Sequence, residues 1–153
     1  MSEPDRTTSP GVPSGASPTD ATTVVDHMDP QFPVVAARAA HAKGGVDILV
    51  LRVGDVLAIT DYFVIVSASN PRLVRTIVQE IEYQVALAGG PRPARIEGQN
   101  EAEWVLADFG TFVVHVFHTE TRQYYELERL WSDVPSVAWL DPDAPAPEGS
   151  VDG

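Results

Sequence analysis

The chain has 153 residues, of which 44% are hydrophobic, and this length and composition fit a single globular domain with one core. It contains no cysteine, which excludes disulfide bonds and thiolate metal ligands. The net charge of −12 disfavours direct binding to DNA or RNA and favours a basic protein partner. The sequence shows no secretory pattern and no apolar run long enough to span a bilayer, so we expect a cytoplasmic protein that does not contact membranes.

The two ends of the chain differ from its middle in composition. Residues 1–28 consist mainly of Ser, Thr, Pro, Gly, Asp and Ala, and residues 141–153 alternate prolines with acidic side chains. Both segments hold too few apolar side chains to build a core. We therefore expect disordered, acidic tails on both sides of one domain at residues 29–140.

The first half of this domain predicts two helices and two strands. Asp29 is expected to cap a first helix that ends at Gly44. The inner face of this helix would carry Val34, Val35, Ala39 and Ala42. The apolar runs Ile48–Leu51 and Tyr62–Val66 are typical of buried strands, and Asn70 is a suitable cap for a long second helix. An apolar side chain recurs every four residues along that helix, at Leu73, Ile77, Ile81 and Val85.

The second half predicts three strands and a last helix. A short strand is expected near residues 94–97, followed by a hairpin of strands 103–108 and 111–118 that turns at Gly110. A last helix, Thr119–Trp131, would begin with its own capping threonine. The order of elements predicts an α/β domain of the α+β type, in which helices cover a mixed sheet of about five strands.

Signs of catalysis are weak in this sequence. Residues 108–110 spell the Asp-Phe-Gly tripeptide of protein kinases, but the other kinase motifs are missing. His115 and His118 are an odd number of residues apart and so lie on opposite faces of a strand, which makes His115 a packed core residue rather than a metal ligand. We expect no enzyme activity, no metal and no cofactor. A nucleotidyltransferase-like enzyme is the alternative, although the paired acids that would hold Mg²⁺ are absent from the predicted strands.

Four motifs occur together and in order along the domain. They are Thr-Asp-Tyr-Phe at 60–63, Trp-x-x-x-Asp-x-Gly at 104–110, Val-His-x-Phe-His at 114–118 and Tyr-x-Leu-Glu-x-Leu-Trp at 125–131. Together they resemble the ribosomal silencing factor S family, also called the Iojap-related family, over about residues 33–135. The resemblance implies a translational repressor that binds the large ribosomal subunit at its protein fourteen and blocks the joining of the two subunits. A large-subunit assembly factor that leaves joining unaffected is a further alternative.

The binding residues are expected on the hairpin and on the last helix. Trp104 and Asp108 share a strand face, and an exposed tryptophan beside an acid and an aromatic turn tip is typical of an interface hot spot. Packing of Trp104 into the core is the competing interpretation, whereas Leu127 and Trp131 are expected to pack the last helix onto the sheet. The candidate partner-binding residues are Trp104, Asp108, Phe109, Gly110, Arg122, Tyr125 and Glu128. We also expect that the free protein can bury this patch in a homodimer.

Overall fold

The computed structural model describes residues 29–140, apart from the side chains of Leu127 and Glu128. The tails expected at 1–28 and 141–153 lie outside the described residues. The elements in chain order are α1 (Gln31–Ala42), β1 (Val46–Arg52), β2 (Tyr62–Ala68), α2 (Pro71–Leu87), β3 (Arg95–Glu97), β4 (Trp104–Asp108), β5 (Phe112–His118), α3 (Thr119–Tyr125) and α4 (Leu127–Leu130). None of the helices in this part of the chain is long and apolar enough to cross a membrane.

The five strands form one mixed sheet in the order β1-β2-β5-β4-β3. Strands β2 and β5 are parallel, whereas the pairs β1–β2, β4–β5 and β3–β4 are antiparallel. The parallel pair requires a crossover connection, and α2 together with the β3–β4 hairpin provides it. The predicted mixed sheet of about five strands, covered by helices, is confirmed.

Helices α1 and α2 pack on one face of the sheet, which we call the helix-covered face. The predicted cap of α2 is confirmed, because the Asn70 side chain accepts a hydrogen bond from the Leu73 N–H at 2.8 Å. Of the predicted apolar stripe, Leu73 is half-buried and the other three members are buried. The buried strand residues of this face include Val50, Val64, Val66, Val105, Ala107, Val114 and Val116.

Helix α1 differs from its prediction in both its start and its inner face. Pro30 is the capping residue, while the Asp29 side chain accepts a hydrogen bond from the Gln31 N–H at 3.0 Å. The buried residues of α1 are Pro33, Ala36, Ala37, Ala39 and Ala40. Of the predicted inner face, Ala39 is buried and Val35 is half-buried against the core, whereas Val34 is half-buried and Ala42 is exposed. The helix presents its small side chains inward, which lets it approach the sheet and α2 closely.

The opposite side of the sheet, which we call the second face, is partly covered by the chain that follows β5. Instead of one helix over Thr119–Trp131, two short helices are present, because Glu126 adopts a left-handed conformation with φ 51° and ends α3. The expected cap is also wrong. His118 occupies the N-cap position, and the Thr119 hydroxyl donates instead to the Ala68 carbonyl oxygen at 3.1 Å. Trp131 then packs edge-on against Phe63, with ring centroids 5.5 Å apart, as its predicted packing role requires.

Residues 135–140, which we call the edge segment, run antiparallel along the outer side of β1. The Val137 N–H donates to the Val50 carbonyl oxygen at 2.8 Å. The Trp139 indole N–H donates to the Ile48 carbonyl oxygen at 3.2 Å. The edge segment thus satisfies backbone groups that an edge strand otherwise exposes.

Candidate functional site

The second face is only half covered, and its uncovered part is the candidate site. Alternate residues of neighbouring strands reach this face, and the strand register aligns Arg95, Asp108, Val113 and Phe63 in one row. The next row holds Glu97, Leu106, His115 and Ile65. Trp131 covers the β1–β2 side, whereas the β4–β5 side remains accessible. We call the half-buried residues of that side, Trp104, Leu106, Asp108 and Val113, the open half.

Trp104 is both a packing residue and a surface residue. Its ring stacks on Phe117 with centroids 4.8 Å apart and lies 5.1 Å from the ring of Tyr125. Its indole N–H donates to Nδ1 of His115 at 3.1 Å. Because the ring is half-buried, one side contributes to the core while the rest is available to a partner. The two interpretations of Trp104 made from the sequence therefore each describe part of this side chain.

His115 lies beneath the open half and is 5% exposed, which confirms its prediction as a packed core residue. Burial lowers the pKa of its imidazole from 6.5 to about 4, so the ring is neutral at pH 7. An indole N–H can only donate, so Nδ1 must accept and the proton of the neutral ring lies on Nε2. Within the described part of the chain, Nε2 has no hydrogen-bond partner. It faces an aromatic environment in which Phe63 meets the imidazole edge-on, with centroids 4.7 Å apart.

Asp108 combines a structural contact with an accessible charge. One carboxylate oxygen accepts a hydrogen bond from the Gly110 N–H at 2.9 Å and closes the hairpin turn. Gly110 has φ +93°, the left-handed conformation that the turn was predicted to need. The other carboxylate oxygen lies 4.0 Å from Arg95 on the neighbouring strand, and 30% of the side chain is exposed. Asp108 can therefore present negative charge without leaving the turn.

Phe109 does not form the exposed turn tip that the sequence suggested. Its ring is 4% exposed, belongs to the helix-covered face and stacks on Phe112 with centroids 4.6 Å apart. The reason is strand alternation, because Phe109 continues the inward series of Val105 and Ala107 into the turn. A role for the Phe109 side chain in direct surface contact is therefore wrong.

Arg122 and Tyr125 separate instead of forming one patch. Arg122 is 6% exposed, and its guanidinium donates to the Asp47 carbonyl oxygen at 2.5 Å and to the Ser67 hydroxyl at 2.9 Å. It anchors α3 to the β1–β2 side and lines a surface depression of about 490 Å³ away from the open half. Tyr125 is 53% exposed and lies beside Trp104, so it stays a candidate member of the site. The side chain of Glu128 lies outside the described residues.

Three residues of this surface were missed from the sequence. Leu106 shares the strand face of Trp104 and Asp108, so the two-residue period of β4 could have identified it. Val113 is the hairpin partner of Asp108, which the position of the turn fixes. Tyr124 is 80% exposed and contacts Tyr125 with ring centroids 5.0 Å apart. No periodic signal was available for Tyr124, since its exposure depends on where α3 ends.

The chemistry of the site is that of a contact surface. Aromatic and aliphatic groups occupy its centre, and its outer border on β3 carries the ion pair of Arg95 and Glu97, with Nε and Oε2 3.2 Å apart. An apolar centre with a charged rim is the usual arrangement of a protein–protein interface. Within residues 29–140, no group of three or more His, Asp or Glu side chains is placed to hold a metal ion.

Comparison with known proteins gives consistent matches over the domain. The family model described as "Ribosomal silencing factor during starvation" (RsfS) matches residues 26–151. The ribosomal silencing factor RsfS of Bacillus subtilis is 43% identical over 107 residues, which are 70% of this chain and 89% of that protein. The mouse protein named mitochondrial assembly of ribosomal large subunit protein 1 is 32% identical over 110 residues, which are 70% of this chain and 48% of that protein.

Solved structures show the same fold. A crystal structure from Bacillus halodurans superposes with a TM-score of 0.62 at 32% identity, covering 72% of this chain and 99% of its own. A second, from Chromobacterium violaceum, has a TM-score of 0.64 at 27% identity and covers 74% and 97%, respectively. The family resemblance inferred from the four motifs is thereby confirmed. This chain belongs to the ribosomal silencing factor (RsfS) family.

Proposed function

We propose that this protein represses translation in the cytoplasm by binding the large ribosomal subunit at its protein fourteen and blocking the joining of the small subunit. Membership of the RsfS family supports the ribosome as the partner. The observation that carries the proposal is the open half of the second face, an accessible apolar surface on an otherwise covered sheet. Accessible apolar surface with a polar rim is the usual mark of a docking site.

The proposed mechanism is steric and involves no covalent step. A bound protein occupies the surface that the small subunit would contact, so the fraction of free subunits depends on concentration and affinity alone. The net charge of −12 attracts a basic ribosomal protein and is repelled by the phosphates of the surrounding RNA. The accessible carboxylate of Asp108 places negative charge beside the apolar centre.

The experiment is sedimentation of purified ribosomal subunits with and without the protein. We expect the protein to move with the large subunit and the joined-ribosome peak to fall as the protein is added. An unchanged joined peak at saturating protein would show that blocking of joining is wrong. The same substitution, leucine to glutamine, is made at two positions, one in the open half as the test and one on α2 as the control. Leu106→Gln alters the open half and should abolish the effect, whereas Leu87→Gln lies on α2, where the leucine is 65% exposed, and should not.

A large-subunit assembly factor is the second candidate, and one observation favours it. The mouse relative carries assembly of the ribosomal large subunit in its name. Under this alternative the same open half would bind precursor particles and leave the joining of mature subunits unaffected. Sedimentation with precursor and mature large subunits in parallel separates the two functions, because only the silencing function lowers the joined peak.

When no ribosome is present, we propose that the open half pairs with a second copy of the chain. An isologous dimer would remove the exposed parts of Trp104 and Tyr125 from water. Light scattering of the free protein over a concentration series tests this pairing. A dimer that persists in the Leu106→Gln variant would place the contact elsewhere.

A further inference from the structure

The hydrogen bond between Trp104 and His115 joins an accessible residue to a buried one. The indole N–H of Trp104 points into the protein and meets Nδ1 of His115 at 3.1 Å. His115 itself is held from two sides, by Phe63 at 4.7 Å and by Phe117 at 6.3 Å between ring centroids. The acceptor is therefore fixed in place by packing, and the indole follows it.

Few other polar groups are near enough to take over this role. The neighbours of His115 in its row are Leu106 and Ile65, which carry no polar side-chain atom. Stacking on Phe117 holds the plane of the indole, but a flipped ring could stack equally well. The hydrogen bond selects one of these orientations, because a flip would leave the buried Nδ1 of His115 without a donor.

We propose that His115 is a positioning residue, which fixes the indole of Trp104 through Nδ1 so that the indole presents only its apolar ring surface to the partner. This inference rests on the proposed function, because the partner is the large ribosomal subunit. It also specifies the chemistry of the contact. The partner packs an aliphatic or aromatic group on the indole and accepts no hydrogen bond from it, since the only indole donor is already used.

Two nearly isosteric variants separate positioning from packing. In His115→Asn the amide oxygen can occupy the place of Nδ1, because both atoms lie two bonds beyond Cβ. In His115→Leu the shape is similar but the acceptor is lost. We expect the Asn variant to bind large subunits within about threefold of the unchanged protein and the Leu variant to bind about tenfold more weakly or worse.

Stability should follow the opposite order, and this makes the test sharp. The surroundings of residue 115 are apolar, so Leu should melt at a temperature equal to or above that of Asn. A merely structural role would make binding follow the melting temperature, whereas positioning makes binding follow the acceptor. Equal binding by the two folded variants would overturn the inference.

A second measurement uses the free protein and does not depend on the ribosome. Nuclear magnetic resonance of the protein should show the His115 proton on Nε2 at neutral pH and slow exchange of the Trp104 indole proton, assigned with Trp104→Phe. Slow exchange should persist in His115→Asn and be lost in His115→Leu. A proton on Nδ1, or fast indole exchange in the unchanged protein, would contradict the inference. If these signals are as expected but no variant or parent binds large subunits, the proposed function fails and the hydrogen bond stands.

Discussion

The helix-covered face and the second face are built from the same strands, yet they differ in how completely their side chains are buried. On the helix-covered face Val64 and Val114 are at most 1% exposed beneath α1 and α2. Their chain neighbours Phe63 and Val113 point the other way and are only half-buried. The sheet would accept a complete second layer, but Trp131 covers the β1–β2 side and leaves Leu106, Asp108 and Val113 half-buried. An interaction surface can therefore arise where a second core is left unfinished.

The largest expected effect tests this difference by the same truncation on each face. Phe112 is fully buried on the helix-covered face, so Phe112→Ala should lower the free energy of unfolding by about 3–5 kcal/mol. Phe63→Ala removes the same group from a half-buried position on the second face and should cost clearly less. Urea unfolding of both variants gives the comparison. Equal losses would show that the second face is packed as completely as the first.

The next effect concerns acid stability, which should be a property of the second face. The folded pKa of His115 is about 4 and its unfolded value is about 6.5, so the unfolded chain binds the proton more readily. The contribution to stability is complete above pH 6.5 and is lost as the pH falls toward 4, for a total of roughly 3 kcal/mol.

Unfolding measured from pH 7 to pH 4 for the unchanged protein and for His115→Asn isolates this term. All other ionisable groups are the same in both proteins, so only the difference between the two curves reports His115. That difference should grow as the pH falls. Parallel curves would show that the imidazole is hydrated in solution.

Trp104 should affect binding more than folding, because only part of its ring is buried. Trp104→Ala is expected to weaken large-subunit binding by about 2 kcal/mol or more. Its loss of unfolding free energy should be smaller than that of Phe112→Ala. Trp139→Ala is the control, since Trp139 packs against β1 through the edge segment. It should reduce stability and leave the affinity of the folded protein unchanged; the reverse pattern would move the interface to the edge segment.

The smallest effect concerns the charge of Asp108. Asp108→Asn keeps an oxygen for the Gly110 N–H and should preserve stability, while binding to a basic partner weakens by about 1 kcal/mol, mainly through slower association. Asp108→Lys should weaken binding further through repulsion. Glu82→Gln on α2 removes the same charge from the helix-covered side and serves as the control. Binding kinetics at low and high salt measure the effect, and a loss that is equal at both salts would count against an electrostatic role.

Local chemistry explains what could be predicted from the sequence. Asn70 caps α2 and Gly110 turns the hairpin because each needs only its immediate neighbours, and both were identified. The expected exposure of Phe109 was wrong, because the alternation of β4 continues one residue beyond the strand and turns this side chain inward. The same alternation places Leu106, and not Phe109, on the second face.

Other features depend on contacts between distant parts of the chain. The buried guanidinium of Arg122 donates a hydrogen bond to the carbonyl oxygen of Asp47, 75 residues earlier, and no local pattern indicates that pairing. The sequence also does not predict that the last helix breaks at Glu126, because a left-handed conformation is unusual for glutamate. Both features determine which half of the second face stays open, so the extent of the candidate site could not be predicted from the sequence alone.

The edge segment also has a consequence for synthesis of the protein. Trp139 contacts Ile48, 91 residues earlier, so β1 keeps an open edge until nearly all of the described domain has left the ribosome. Domains fold progressively as they emerge, and unpaired strand edges are the sites where incomplete chains associate. A chain whose synthesis stops before residue 135 would hold a nearly complete sheet in which the edge of β1 is unpaired. Residues 135–140 therefore cover the edge of β1 only after the rest of the sheet has been synthesised.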